Sequence, residues 1–242
     1  MRERWSSGTV IENRRWTERL FSLRVVGVGR PFEAGQFVRI GVDPEADDAV
    51  ARPFSFVNPP DDPVLEFYGV VVPQGRLSPR LAALRPGDTL SVAPKAAGFF
   101  VLSEVPDAET LWLIATGTGI APFLSMLRTD APRRRFEHVV LVHAVRYASE
   151  LTYREVIEQT GVRFTTIVSR EPHPGSVAGR IPAALRDGRL EAAAGVPIDE
   201  RSHVMLCGNP AMLADATAVL VERGLRKHRR RASGHITVER FW

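Results

Sequence analysis

One stretch constrains the fold more than any other: Leu111-Trp112-Leu113-Ile114-Ala115-Thr116-Gly117-Thr118-Gly119-Ile120-Ala121-Pro122-Phe123. An unbroken apolar run marks a strand buried on both faces. Two glycines end it, and Pro122 then opens a predicted helix, Pro122 to Leu127. Proline suits a first helical turn, where its missing N–H would have no partner anyway. Strand, glycine turn and helix start, in that order, commit this part of the chain to an α/β unit. They also make an anion site. Glycines let the backbone approach phosphates, and the N–H groups and dipole of the helix face the negative charge. Pro122 stands where the full G-x-G-x-x-G fingerprint has its third glycine. Taken alone, the turn therefore fits an ordinary strand–helix connection as well as a nucleotide site.

The next buried strand, His138-Val139-Val140-Leu141-Val142-His143-Ala144-Val145, ends in Arg146. Sites for NAD carry an acidic residue here to bind the ribose 2′-OH, whereas arginine suits the 2′-phosphate of NADP. A solvated arginine at a strand end is the plain alternative. Two more arginines tip the balance. Arg170 ends the strand predicted over 163–169, and Arg180 comes after Gly175-Ser176-Val177-Ala178-Gly179. Three arginines at one sheet edge would converge on a dianion, so the chain reads as built for NADP(H).

The two halves of the chain differ in pattern. Residues 8–100 carry short β-like runs broken by Gly, Pro and Asp, such as Gln36–Ile40, Phe54–Val57 and Val64–Val72. That spacing predicts an antiparallel barrel. One helix interrupts it over 78–84, with Ser78 as N-cap and Pro79 in the first turn. From Thr110 onward, strands alternate with helical stretches, which predicts a parallel five-stranded sheet with strands at 111–115, 138–145, 163–169, 203–207 and 235–239. The linker falls at Ser103 to Glu109, giving domains of 1–104 and 105–242.

Composition narrows the class. At 242 residues, 44% hydrophobic and 25% charged, the chain can bury a full core and reads as soluble and globular. No apolar run reaches membrane-spanning length, and nothing after Met1 resembles a secretory h-region, so a cytoplasmic location and no membrane insertion are expected. The single cysteine, Cys207, excludes an internal disulfide and a four-cysteine iron–sulfur cluster held within the chain. Net charge is only +4, and the one dense basic run is Arg226-Lys227-His228-Arg229-Arg230-Arg231. No aromatic residue is interleaved with it. It fits a docking face for an acidic partner, or a solvated face, better than a nucleic-acid arm.

A second constellation lies in the barrel half. Arg52-Pro53-Phe54-Ser55 offers charge for a pyrophosphate, a ring for stacking and a hydroxyl for a flavin N5. Twenty residues further on, Gly75-Arg76-Leu77-Ser78-Pro79 opens the short helix as another anion site. In this order with the Gly117 turn, and with Ala97–Leu102, Gly179-Arg180-Ile181-Pro182, Cys207-Gly208-Asn209-Pro210 and Glu239-Arg240-Phe241-Trp242, the chain resembles the plant-type ferredoxin–NADP(H) reductases over nearly its whole length. The likeness is to the bacterial ferredoxin/flavodoxin–NADP(H) reductases that end in an aromatic pair.

That resemblance implies an FAD-binding barrel followed by an NADP domain. It implies that Arg52 holds the FAD pyrophosphate, Phe54 stacks on the isoalloxazine and Ser55 bonds near N5. Phe67, Tyr68 and Val70 would line the flavin by side chain or backbone, and Gly75, Leu77 and Ser78 would bind its phosphates. Thr116 would sit at the junction of flavin and nicotinamide, Gly117 and Gly119 would form the pyrophosphate turn, and Arg146, Arg170 and Arg180 would take the 2′-phosphate. Cys207 and Glu239 would lie near the nicotinamide, Phe241 near the flavin ring and Trp242 on the adenine. Relatives have tyrosine where this chain has Phe54, so stacking is kept and a phenol hydrogen bond is lost. The implied activity is hydride transfer from NADPH to flavin N5, then single electrons to ferredoxin or flavodoxin, without metal, by a monomer. Ser55, Cys207 and Glu239 would act at the reacting atoms, and the tail would gate access. The rival readings are a reductase component of an oxygenase, a basic nucleic-acid module and a non-catalytic flavin sensor.

Overall fold

The computed structural model describes residues 5–29, 31–42 and 50–241. The chain divides into two compact units, Met1–Val101 with Ala121–Thr129, and Leu102–Ile120 with Asp130–Trp242. Among the described residues, no helix is long and apolar enough to cross a membrane.

The first unit is an antiparallel sheet of six strands: β1 (Ser6–Arg15), β2 (Leu20–Val26), β3 (Phe37–Val42), β4 (Val50–Ser55), β5 (Leu65–Val70) and, after helix α1 (Ser78–Ala83), β6 (Thr89–Val92). Their order is β4-β3-β6-β1-β2-β5. Beyond β4 the chain bridges back to β5 at Phe56 and Phe67, and the Val57 N–H donates to Glu66 O at 2.9 Å. This joins the two edges, as a barrel requires. Alternation decides what fills it: Phe21, Leu23 and Val25 from β2 and Leu65 and Phe67 from β5 point inward with Val10, Val38 and Leu90. A bulge in β1 between Val10 and Glu12 bends that strand, leaving Ile11 exposed.

Helix α1 plugs the barrel with Leu77 and Leu81. Its end is fixed by Asn13, whose Nδ2 donates to Ala82 O at 3.1 Å and Leu84 O at 2.7 Å, satisfying carbonyls the helix cannot. The expected N-cap is corrected. Leu77 holds that position and no side chain caps the helix; the Ser78 Oγ instead accepts from the Val72 N–H at 2.9 Å, tying down the preceding loop. Helix α2 (Ala121–Leu127) belongs to this unit. The Ser125 hydroxyl donates to Asn58 O at 2.7 Å, and Arg128 pairs with Glu66 at 3.1 Å and Asp62 at 3.7 Å.

The second unit is a parallel sheet: β7 (Thr110–Thr116), β8 (His138–Val145), β9 (Arg163–Val168), β10 (Ser176–Ala178), β11 (Ser202–Gly208) and β12 (Ile236–Arg240), in the order β10-β9-β8-β7-β11-β12. Five of these match the expected strands to within a residue. The sixth, β10, lies outside the expected strands, so the five-stranded sheet is corrected to six. Its three residues hold one strong strand former, Val177, too few for a periodic signal; pairing with β9 makes it a strand. Helices α3 (Ala131–Arg135), α4 (Arg154–Gln159), α5 (Ile181–Arg186), α6 (Arg189–Ala194) and α7 (Pro210–Glu222) complete the unit. One face of the sheet, with Trp112, Ile114, Val140 and Val142, packs on α5, α6 and α7 through Leu185, Leu190 and Leu220.

Trp112 is the largest fully buried side chain, and its indole N–H donates to Pro197 O at 3.3 Å. Trp112→Ala should cost about 3–5 kcal/mol through the cavity it leaves. The measurement is the urea midpoint followed by circular dichroism, and an unchanged midpoint would contradict this packing.

Candidate functional site

The carboxyl ends of β7, β8, β9, β10, β11 and β12 form one edge of the parallel sheet, and open α/β sheets bind ligands at that edge. Strand β7 runs straight into a 3₁₀ turn, Gly117–Ile120, ahead of α2. The expected helix is present as α2, and the glycine turn ahead of it is a four-residue 3₁₀ turn, so the turn's own N–H groups stand between the strand end and the helix. The two glycines serve different ends. Gly117 adopts φ +52° with open space where a Cβ would be, so its need is conformational. A Cβ on Gly119 would lie 2.8 Å from Cys207 O and 2.9 Å from Gly208 Cα, so its need is close approach to β11.

Thr116 does something the sequence did not disclose. Its Oγ1 accepts from the Asn209 N–H at 2.9 Å, joining the ends of β7 and β11. Asn209 caps α7, its Oδ1 accepting from the N–H groups of Ala211 at 3.0 Å and Met212 at 3.2 Å. The Asn-Pro pair ahead of a helical stretch was the available signal. The Phe241 N–H donates to Gly208 O at 3.1 Å, which brings the tail to this edge. Trp242 lies outside the described residues.

Arg146, Arg170 and Arg180 come after β8, β9 and β10, three neighbouring strands of this edge. The Arg170 N–H donates to Arg146 O at 2.9 Å, and the Gly179 N–H to Val168 O at 3.4 Å, so the backbones carrying the three are laced together. Glu150 shapes the first of them, its Oε2 accepting from the N–H groups of Arg146 at 2.9 Å and Tyr147 at 3.3 Å. Glu171 Oε1 accepts from Ala148 N–H at 2.6 Å. Both carboxylates are thus engaged by backbone. All three arginines are exposed, and none has a carboxylate partner among the described residues, although Arg170 lies 5.9 Å from the Tyr147 ring. Some other arginines of this unit are paired, such as Arg189 with Asp187, Arg201 with Glu109 and Arg223 with Glu191. Three guanidinium groups without a carboxylate partner among the described residues, carried on one laced edge, suit a multiply charged anion.

Cys207 and Glu239 face each other in register across β11 and β12. Cys207 is fully buried, and burial followed by the Glu239 charge raises its thiol well above the usual range. It is a neutral thiol. Glu239 is half-buried, its Oε1 fully enclosed with no hydrogen-bond partner among the described residues, and burial pushes its carboxyl up to about 7. An acid near neutrality can hold or release a proton at this edge.

In the barrel, Arg52 is exposed and its Nη1 donates to Ala51 O at 3.0 Å; among the described residues it has no carboxylate partner. Phe54 is half-buried, edge-on to Phe67 at 6.5 Å between ring centroids, and Ser55 is 4% exposed. An exposed cation, a half-exposed ring and a hydroxyl in one strand fit a flavin nucleotide. Phe67 and Leu77 point into the barrel core, which leaves their backbones available, the route already expected for Leu77. Tyr68 and Val70 occupy the opposite face of β5 from Phe67. The Gly75 N–H already donates to Val72 O at 2.8 Å, which withdraws it as a phosphate donor. The basic run is a folded loop before β12 rather than an arm, with Arg230 Nη2 on Glu104 Oε1 at 2.6 Å.

The Glu239 environment sets a pH dependence. Its folded value near 7 lies above the ordinary carboxyl value of 4.5, so the folded state holds its proton longer than the unfolded chain. The stability this carries is present below 4.5 and is lost as pH rises to about 7. Relative to Glu239→Gln, the wild-type unfolding free energy from urea titrations should fall across that window, by at most about 3 kcal/mol, and run parallel above it. Parallel curves throughout would contradict the buried, unpartnered carboxyl.

Comparison with known proteins bears on this arrangement. Residues 113–218 match the family model of the oxidoreductase NAD-binding domain. The chain is 50% identical to flavodoxin/ferredoxin–NADP reductases of Escherichia coli strain K12 and of Shigella flexneri, over 98% of this chain and 99% of each relative. Its fold superposes on a ferredoxin–NADP⁺ reductase of Neisseria gonorrhoeae, solved with FAD and NADP bound, with a TM-score of 0.93 and 30% identity over 98% of both chains. With a barrel unit, a parallel-sheet unit and an unpaired arginine edge already described, this likeness over both chains is decisive: the chain belongs to the flavodoxin/ferredoxin–NADP reductase family.

Proposed function

We propose that this protein is an FAD-dependent oxidoreductase that moves electrons between NADP(H) and a ferredoxin or flavodoxin. The observation that carries the cofactor choice is the set of three exposed, unpaired arginines at the ends of β8, β9 and β10. NADPH differs from NADH by one phosphate, and Arg146, Arg170 and Arg180 are the groups that would bind it. Thr116, Gly117 and Gly119 shape the backbone that would receive the pyrophosphate. Bound FAD supplies the chemistry, accepting a hydride and releasing electrons one at a time.

The chain's own residues do the rest. Arg52 would balance the FAD pyrophosphate with the backbone around Leu77 and with Ser78, whose hydroxyl proton is still available to donate. Phe54 would stack on the isoalloxazine, with Tyr68 and Val70 beside it. Ser55 would donate a hydrogen bond near N5. Glu239 would hold or move a proton near the nicotinamide, and the neutral Cys207 would pack against it. Phe241 and Trp242 complete the reading as aromatic covers for the cofactors. The enzyme would act as a cytoplasmic monomer that binds no nucleic acid. Its acidic carrier would meet the basic loop Arg226 to Arg231 through long-range attraction.

Arg146→Ala or Arg180→Ala should raise the KM for NADPH roughly ten- to a hundredfold, the range for losing a charge-assisted hydrogen bond, and leave the KM for NADH nearly unchanged. Steady-state reduction of a small acceptor with each nucleotide measures this. Equal losses for both nucleotides would overturn the 2′-phosphate assignment.

A further inference from the structure

We infer that His143 is a positioning residue for the cofactor turn: its ring holds the Gly117 carbonyl inward, so that the N–H groups of the turn face the anion. The inference rests on the NADP(H) reading of that turn. His143 lies in the middle of β8, between Ala115 of β7 and Thr166 of β9, and is fully buried. Its chain neighbours Val142 and Ala144 belong to the apolar core. Its Nε2 is 3.0 Å from Gly117 O. A carbonyl only accepts, so Nε2 carries the proton and Nδ1 is bare. That Nδ1 is enclosed and has no partner among the described residues.

An unpartnered buried nitrogen is unfavourable, and an apolar side chain of similar volume would avoid it. The ring therefore has a use that an apolar residue cannot meet, and the one hydrogen bond it makes identifies that use. Gly117 adopts φ +52° with no neighbour where a Cβ would stand, so local sterics do little to fix its peptide. Rotating the peptide that carries this carbonyl would turn an oxygen toward the phosphates in place of an N–H, replacing attraction with repulsion. The donor beneath the turn opposes that rotation. The ring does so without adding charge, because burial lowers its pKa to about 4.

This role differs in its signature from that of the arginines. The pyrophosphate is common to NADPH and NADH, so loss of the donor should weaken both alike and leave their ratio unchanged. The variants are His143→Gln, which can place an amide N–H at the Nε2 position, and His143→Asn and His143→Phe, which cannot. Each is purified with FAD, its flavin occupancy read by absorbance, and assayed with NADPH and NADH against ferricyanide. The Phe and Asn variants should raise both KM values about tenfold by the same factor, with kcat within about twofold and FAD retained. Gln should restore both to within about threefold of wild type. Unchanged KM values in the Asn and Phe variants would overturn the inference, as would a Gln variant as impaired as Asn. If Phe fails to fold, the Gln–Asn comparison decides alone. Wild-type protein that NADPH does not reduce would instead refute the parent reading.

Discussion

The function of this chain depends on how a parallel sheet ends. Every strand of the second unit delivers its carboxyl end to one edge, and the connections that leave it there carry the functional groups. β7 gives the Gly117 turn, β8 gives Arg146, β9 gives Arg170, β10 gives Arg180 and β11 gives Asn209. Short hydrogen bonds between these connections, Arg170 to Arg146 and Asn209 to Thr116, set the edge as one piece. Among the described residues, no carboxylate pairs with the three arginines there, while arginines such as Arg189, Arg201 and Arg223 are paired with acids. The sheet core makes this possible. With Trp112, Val140 and Leu206 fully enclosed, the strands form a rigid base that keeps like charges in place.

The same edge carries polar groups held in uncharged form by burial. His143 is kept neutral beneath the turn, Cys207 is kept as a thiol, and Glu239 is brought close to neutrality. A redox site for an anionic nucleotide gains from this. On the proposed reading, fixed positive charge would select the ligand, and the nearby acid would change protonation without a large electrostatic penalty. Neither feature needs a metal ligand set, in keeping with cofactors that carry their own chemistry.

Much of this was legible in the chain. Continuous apolar runs identify the parallel strands because burial on both faces leaves no polar alternation, and Gly, Pro and Asp at short intervals identify the barrel. Arg146 and Arg170 were readable because each comes just after an apolar strand. The sequence hid features of two kinds. Elements that owe their form to pairing were missed, such as β10, whose three residues have little strand character of their own. Side-chain bonds across the fold were also missed. Ser78 reads as a cap by its position, yet its oxygen is engaged by Val72; Gly75 reads as a phosphate donor, yet its N–H closes a turn. His143 gave no signal at all, because a histidine within an apolar strand has no local pattern to reveal which carbonyl it meets.

The central claim is that the arginine edge recognises a ribose 2′-phosphate. Calorimetric titration of the FAD-loaded protein with adenosine 2′,5′-bisphosphate and with 5′-AMP tests it without any catalytic step. The account predicts that the bisphosphate binds at least about a hundredfold more tightly, and that the gap narrows as salt rises. Equal affinity for the two nucleotides at low salt would contradict it.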